Sequence, residues 1–292
     1  MIYNGVCAVV VTFHPDSEVL ANLSQVHQQV QSVVVVDNGS RLESLAPLRA
    51  ASASAGFHLI ENGENLGVAT ALNIGIRQAQ ALGAVWVLLF DQDSAVTPGF
   101  TQAMLDGFAS SRWGSHLAIL VPRYIDKRLG SPISATGIME QELEIAITSG
   151  SLIPVSVFRE HGFFEDGLFI DAVDFEFSLR VRSQGFHIEE CNKAVLLHSP
   201  GTPKTCRFRG HYLFQTINYS PLRRYYQARN NIWMVRHYWT KFPSFCLKRS
   251  FDIARDCVKI LIAEDGKWSK LRAVWKGTLD GVAGRMGRKD GV

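Results

Sequence analysis

A chain of 292 residues with 47% hydrophobic and 20% charged residues is long enough for one large α/β domain, alone or with a helical appendage, and too apolar to be disordered. Its five cysteines, Cys7, Cys191, Cys206, Cys246 and Cys257, are scattered and show no Cys-x-x-Cys spacing, which argues against a disulfide framework or structural zinc and for a reducing cytoplasm. The net charge of +3 conceals an asymmetry: residues 201–292 hold 19 Lys+Arg against 6 Asp+Glu, a surplus of +13, while the first 200 residues carry −10, a pattern that points to an anionic partner, nucleic acid or a membrane surface.

The opening Met1-Ile2-Tyr3-Asn4-Gly5 has no basic stretch followed by an apolar one, so no signal peptide is expected. Val6 to Thr12 is a continuous β-branched run, the pattern of a strand covered on both faces. Val33 to Val36 repeats it and ends in the turn Asp37-Asn38-Gly39-Ser40. Phe57 to Glu61 is a weaker third strand, and Val68 to Leu82 a helix with Leu72, Ile76 and Ala79 at helical spacing. Val85 to Phe90 is a fourth strand, ending in Asp91-Gln92-Asp93-Ser94; apolar runs of this kind fall far short of the ~20 residues of a membrane span. Strands alternating with helices predict a parallel sheet, and the polar clusters after strands one, two and four lie at its carboxyl edge, where ligands bind.

Further on, Ile145 to Pro154 reads as a strand with a turn around Ser149-Gly150-Ser151. Val173 to Gln184 reads as a helix stopped by Gly185, and Ala194 to Leu197 as a short strand leading to His198. Ser220 to Tyr238 is rich in arginine and aromatics. Ser244 to Ala263 predicts an amphipathic helix with Leu247, Phe251, Ala254, Val258 and Leu261 on one stripe and Lys248, Arg249, Arg255 and Lys259 mostly off it.

Four groups carry candidate chemistry. The carboxylates of Asp91 and Asp93, two apart on a turn, can converge on one hard cation, Mg²⁺ or Mn²⁺, and the diphosphate it carries; the alternative is a solvated acidic turn. Asp37 suits a hydrogen bond from a base or ribose, although the tetrapeptide by itself reads as a turn in which the aspartate caps its own backbone. Asp171 and Asp174, three apart, share a face if the segment is helical, with Glu176 pointing elsewhere; one of them facing a cleft can act as general base, or all can simply favour a helix N-terminus. A lone His198 can ligate a metal or bond a phosphate, and in Leu-Leu-His-Ser-Pro-Gly is more often structural. Phosphate-loop, dinucleotide-binding and nucleophile-elbow signatures are absent from the sequence, which removes support from kinase-like, dehydrogenase and serine-hydrolase readings.

Six segments, in order, resemble glycosyltransferase family two, and within it the bacterial rhamnosyltransferases: Val-Val-Val-Thr-Phe-His-Pro-Asp (9–16), Val-Val-Asp-Asn-Gly-Ser (35–40), Glu-Asn-Leu-Gly-Val-Ala-Thr-Ala-Leu-Asn-Ile-Gly (64–75), Leu-Phe-Asp-Gln-Asp-Ser (89–94), Thr-Ser-Gly-Ser-Leu-Ile (148–153) and Leu-Phe-Ile-Asp-Ala-Val-Asp-Phe-Glu-Phe-Ser-Leu-Arg (168–180). Tyr-Tyr-Gln-Ala-Arg-Asn-Asn (225–231) supports the subgroup, and the resemblance runs from about Val6 to about Tyr238. It implies a glycosyltransferase A fold, a Rossmann-like nucleotide-binding half with a mixed central sheet, followed by a helical basic C-terminal extension. The catalytic domain is expected over 1–215 and the extension over 216–292.

The resemblance also assigns roles. Thr12 and Asp37 would meet the nucleotide, Asn65, Gly67 and Gln92 would lie by the donor, and Asp91 and Asp93 would form the metal-binding pair with help from His198. Ser149, Gly150 and Ser151 would form an acceptor loop, and Arg229 would serve the phosphates or the tail. Asp174 matches the second acidic residue of the family's Glu-Asp base motif. Val173 stands where Glu is common, which leaves Asp171 and Glu176 in reserve. The processive Gln-x-x-Arg-Trp motif is missing, so single-sugar addition is expected. The implied reaction is inverting transfer of L-rhamnose from dTDP-L-rhamnose to a hydroxyl of a glycan or lipid-linked acceptor, in surface-polysaccharide synthesis such as O-antigen of lipopolysaccharide.

The basic tail would then hold the enzyme on an anionic cytoplasmic membrane face; equally, its apolar stripe would pack on the catalytic domain or on a second subunit. Competing readings are a UDP-hexose donor, a nucleotidyltransferase (counted against by Thr12-Phe13-His14-Pro15, where a glycine-rich basic loop belongs) and a non-catalytic scaffold. Nucleic-acid binding has no recognisable motif.

Overall fold

The computed structural model describes residues 3–127, 142–198, 204–208 and 211–290. Its elements run β1 (Tyr3–Thr12), α1 (Glu18–His27), β2 (Val30–Asp37), α2 (Leu42–Ala55), β3 (His58–Glu61), α3 (Val68–Ala81), β4 (Trp86–Asp91), β5 (Ala95–Val96), α4 (Phe100–Ser110), β6 (Leu117–Asp126), β7 (Leu152–Pro154), α5 (Val155–His161), α6 (Val173–Arg182), β8 (His187–His198), β9 (Lys204–Phe208), β10 (His211–Thr216), α7 (Pro221–Tyr238), α8 (Pro243–Ala263) and α9 (Lys267–Val282). They fall into two compact units, Met1–Glu165 with Asp174–Ser199, and Asp166–Val173 with Pro200–Val292. The division expected after residue 215 differs from this partition at both ends: residues 200–215 and the short segment 166–173 belong with the C-terminal helices.

The first unit is built on an eight-stranded mixed sheet in the order β3-β2-β1-β4-β7-β6-β8-β5. The four strands expected from the sequence pair in parallel, β2 with β3 and β1 with both β2 and β4. Val6 to Val10 and Val33 to Val36 are all buried, because a strand with covered faces has no solvent side and reads as an unbroken apolar run. The helix α3 turns Leu72, Ile76 and Ala79 inward, as its spacing predicts.

Two expectations are corrected in the middle of the chain. Only Leu152–Pro154 of the expected strand 145–154 is paired. The rest bends at Gly150, whose φ of +81° disfavours side-chain-bearing residues and where a Cβ would lie 2.6 Å from the Pro122 ring. Conversely, β8 begins seven residues before the expected start at Ala194. Its first half, His187-Ile188-Glu189-Glu190-Cys191, has no strand pattern, yet it pairs in parallel with β6 and buries both glutamates. Pairing with a central strand overrides local preference there.

The second unit holds the β9–β10 hairpin and three helices. Helix α9 lies close on α7 through Gly277, where a Cβ would come within 2.3 Å of the Tyr225 carbonyl. Several basic residues of this half are structural. Arg224 and Lys270 are buried and donate to the buried carboxylate of Glu264 at 2.6 and 2.8 Å, and Arg224 also pairs with Asp256 at 2.6 Å. Helix α8 packs through Phe245, Cys246 and Ile260. Leu247, Phe251, Ala254, Val258 and Leu261, the expected stripe, are exposed. Among the described residues no helix is long and apolar enough to cross a membrane, and all five cysteines are free thiols.

Candidate active site

The carboxyl ends of β1, β2 and β4 lie side by side, with Thr12 paired to Asp37 and Val11 to Asp91. Thr12 is fully buried and donates its hydroxyl to Asp37 at 3.1 Å. The Asp37 carboxylate also accepts from the Ser40 hydroxyl at 2.5 Å and from the amides of Gly39 and Ser40 at 3.2 and 2.8 Å. Four donors fill its lone pairs, so Asp37 is the turn-former that the tetrapeptide suggested and Thr12 is its anchor. The Thr12 hydroxyl expected at the nucleotide is bonded to Asp37, and a contact made by Asp37 would have to displace a bond of the turn.

Asn38 extends this scaffold. Its amide donates to Asn65 Oδ1 at 3.0 Å, and its oxygen accepts from Asn62 Nδ2 and the Leu66 amide at 3.1 and 3.0 Å. Asn65 also receives the Gly67 amide at 2.9 Å, just before α3 begins. The Asn65 and Gly67 expected beside the donor therefore form a loop fastened to the end of β2.

Asp91 ends β4, half-buried, and Asp93 is exposed on the following turn. Gln92 between them is tied to the first strand's exit: the Phe13 amide donates to its side chain at 2.8 Å, and Asn22 Nδ2 to its carbonyl at 3.3 Å. Below the turn, the Ser149 hydroxyl receives the Asp91 amide at 3.3 Å and lies 2.5 Å from the Ser94 hydroxyl. The Gly150 amide donates to the Leu89 carbonyl at 2.6 Å, and the Ser151 hydroxyl to the Ile147 carbonyl at 2.7 Å. Both serines are buried. The segment expected as an acceptor loop supports the Asp91–Asp93 turn, with both serine hydroxyls bonded inside the fold.

One residue that sequence reasoning missed joins the parts. Tyr124, on β6, is buried and donates to the Ser149 carbonyl at 2.9 Å. Burial first, and then the carboxylates of Asp91, Asp174 and Glu190, hold its phenol well above the ordinary tyrosine pKa. Asp174, from the first turn of α6, lines a recess with Leu89 of β4 and with Ser151, and Asp91 ends that same strand over Ser149. No spacing in the sequence links residue 124 to either.

Asp174 is half-exposed, lines a mostly apolar recess with Phe164, Phe177 and Ser178, and accepts from the Phe175 amide at 3.0 Å. The two reserve residues are engaged elsewhere. Glu176 is buried and forms a two-point ion pair with Arg180, at 3.0 and 2.6 Å. Asp171 lies before the helix with φ +63°, so it does not share a helical face with Asp174 as expected, and within the second unit it is paired to Arg223 at 3.2 Å.

Arg229 is buried in that unit and donates to the carbonyls of Gly167 and Leu168, each at 2.9 Å, and of Gly287 at 2.5 Å, with Nε on Asn230. Arg229, expected at the phosphates or the tail, here clamps backbone carbonyls with its guanidinium. His198 ends β8 beside Asp126 in the ladder; the metal role expected of its side chain lies outside what the structure describes.

The residues proposed for a metal supply hard oxygen donors. Two carboxylates at a strand end suit Mg²⁺ or Mn²⁺ and leave the remaining positions to diphosphate and water. Among the described residues no group of three or more His, Cys, Asp or Glu side chains gathers as a closed metal site, and an open pair fits a cation that arrives with a phosphate ligand better than a resident structural ion.

Residues 7–132 match the model of the family described as glycosyl transferase family 2. Over 306 aligned residues the chain is 28% identical to the dTDP-rhamnosyl transferase RfbF of Shigella flexneri, covering 97% of both chains. Among solved structures it is similar to GalNAc-T7 with UDP, GalNAc and Mn²⁺ (TM-score 0.62, 15% identity, 95% of this chain) and spans 56% of that chain's length. It is also similar to S. aureus TarS 1–349 with UDP-GlcNAc (TM-score 0.61, 15% identity, 95% of this chain and 81% of that one). The fold is the glycosyltransferase A fold.

Proposed function

We propose that this chain, a glycosyltransferase by virtue of its family 2 domain, moves L-rhamnose from dTDP-L-rhamnose to a hydroxyl of a glycan or lipid-linked acceptor, with inversion, during bacterial surface-polysaccharide synthesis in the cytoplasm. The similarity to RfbF over nearly the whole of both chains supports the donor. The observation that carries the chemistry is that Asp174 of α6 lines a recess with Leu89 of β4 and Ser151, beside the turn of Asp91 and Asp93 at the end of that strand.

In this reading Asp91 and Asp93 would hold Mg²⁺ or Mn²⁺, which would supply charge neutralisation for the leaving nucleoside diphosphate. Asp174 accepts the proton of the acceptor hydroxyl as that oxygen bonds to the anomeric carbon, while the carbon–oxygen bond to the diphosphate breaks. One displacement from the opposite face inverts the carbon, and the fixed turn at 37–40 and the braced turn at 91–93 keep the donor in line for it.

The test is calorimetric titration of dTDP-L-rhamnose and UDP-glucose, with Mn²⁺, into the wild type and Asp93→Ala. Metal-dependent binding of the rhamnose donor alone, lost in Asp93→Ala, is the expected result. Preference for UDP-glucose would keep the glycosyltransferase and discard rhamnose, and binding of neither would favour a non-catalytic protein.

A further inference from the structure

Helix α8 leaves its apolar stripe uncovered. Leu247, Phe251, Val258 and Leu261 are 47–67% exposed, although residues at this spacing ordinarily face a core. The next helix repeats the feature: Trp268, Trp275, Leu279 and Val282 of α9 are 49–74% exposed. Large apolar side chains exposed singly are ordinary, but two successive helices of one unit that both turn such a stripe to solvent mark an interaction surface.

The charges around the stripes say what the surface meets. Lys248 on α8, and Lys267, Arg272 and Lys276 on α9, are exposed beside the apolar residues. The acidic residues of both helices are at least partly buried and engaged in ion pairs or hydrogen bonds. Asp252 and Asp256 are half-buried and paired with Arg255 and Arg224, and Asp280 is buried against Tyr225 and Lys289. Apolar side chains with tryptophan among them, flanked by cations and free of exposed carboxylates on the helices, match the boundary between acyl chains and anionic headgroups. A second copy of the chain fits less well, because opposing faces would set cations against cations.

We propose that the exposed faces of α8 and α9 bind the surface of an anionic lipid bilayer, lying along it. The inference stands apart from the donor assignment, since it uses none of the residues proposed for donor or metal binding. Binding follows from burial of the stripes, while the cations supply attraction that salt screens.

The experiment is co-sedimentation of the full chain with vesicles of phosphatidylcholine alone or mixed with phosphatidylglycerol, at low and high salt, with tryptophan emission read in parallel. Sedimentation velocity without lipid follows the oligomeric state. Binding only to the anionic vesicles, weakened by salt and accompanied by a blue shift, is expected. Lys248→Gln with Lys276→Gln should lower affinity about 30-fold, at ~1 kcal/mol for each cation removed, and Phe251→Ser with Trp275→Ser should lose both binding and blue shift. These positions are exposed, and unchanged thermal unfolding of each variant checks the fold. Equal binding to neutral vesicles, no binding to either, or a self-associated form abolished by Phe251→Ser would each overturn the proposal.

Discussion

Tyr124 donates its hydroxyl to the backbone oxygen of Ser149 at 2.9 Å, and Ser149 in turn receives the amide of Asp91. The geometry of the Asp91–Asp93 turn therefore rests on a buried phenol one strand away from any acidic motif. Tyr124→Phe leaves the Ser149 carbonyl without that donor in a buried place, and should lower stability by about 1–3 kcal/mol in urea unfolding. It should also weaken metal-dependent donor binding while leaving the general base in place.

Asp174 and Glu176 are two residues apart in the chain and should respond in opposite ways. Asp174→Asn should reduce kcat by roughly 10²- to 10⁴-fold with donor affinity kept, as for loss of a general base. Glu176→Ala removes one partner of the buried pair with Arg180 and should cost about 3–5 kcal/mol of stability. Steady-state kinetics and thermal unfolding of the two variants read the contrast; a large kcat loss confined to Glu176→Ala would reverse the assignment.

Chelation tests the paired carboxylates. EDTA should abolish binding of dTDP-L-rhamnose in calorimetry, and Mg²⁺ or Mn²⁺ should restore it to the wild type and not to Asp93→Ala. Donor binding unaffected by EDTA would remove the metal from the reaction.

Alkaline stability should report on the second unit. Burial, and then the hydrogen bond to Asp280, push the Tyr225 phenol from 10.0 to about 12. The unfolded chain releases this proton from pH 10 upward, whereas the folded chain holds it to about 12, so the contribution is intact below pH 10 and is lost between pH 10 and 12. Urea midpoints measured across that window should fall less steeply for Tyr225→Phe, by the equivalent of one proton.

The nucleotide-binding half was legible because its strands are buried on both faces and its helices keep a 3.6-residue period, as Val33–Val36 and the Leu72-Ile76-Ala79 stripe show. Asp91, Asp93 and Asp174 stood out through their positions after apolar strands or at a helix start. What could not be read was set by contacts distant in sequence. Burial of Ser149 and Ser151 depends on their bonds to β4, the first half of β8 on its pairing with β6, and the buried place of Arg229 on the carbonyls of residues 167, 168 and 287. Arginine in a basic, aromatic stretch gives no sign of whether its donors face a phosphate or a peptide group.

Asn230 donates to the carbonyls of Leu168, Ile170 and Asp171 at 2.7–3.0 Å, in a stretch where Phe169, Asp171 and Ala172 all hold positive φ. The residues that lead the chain into Asp174 thus take their backbone shape from a helix that is translated more than fifty residues later. No single cut parts the two units. A chimera that joined the first 215 residues to a foreign tail would inherit every carboxylate of the proposed site and leave the approach to its base without the amide that shapes it.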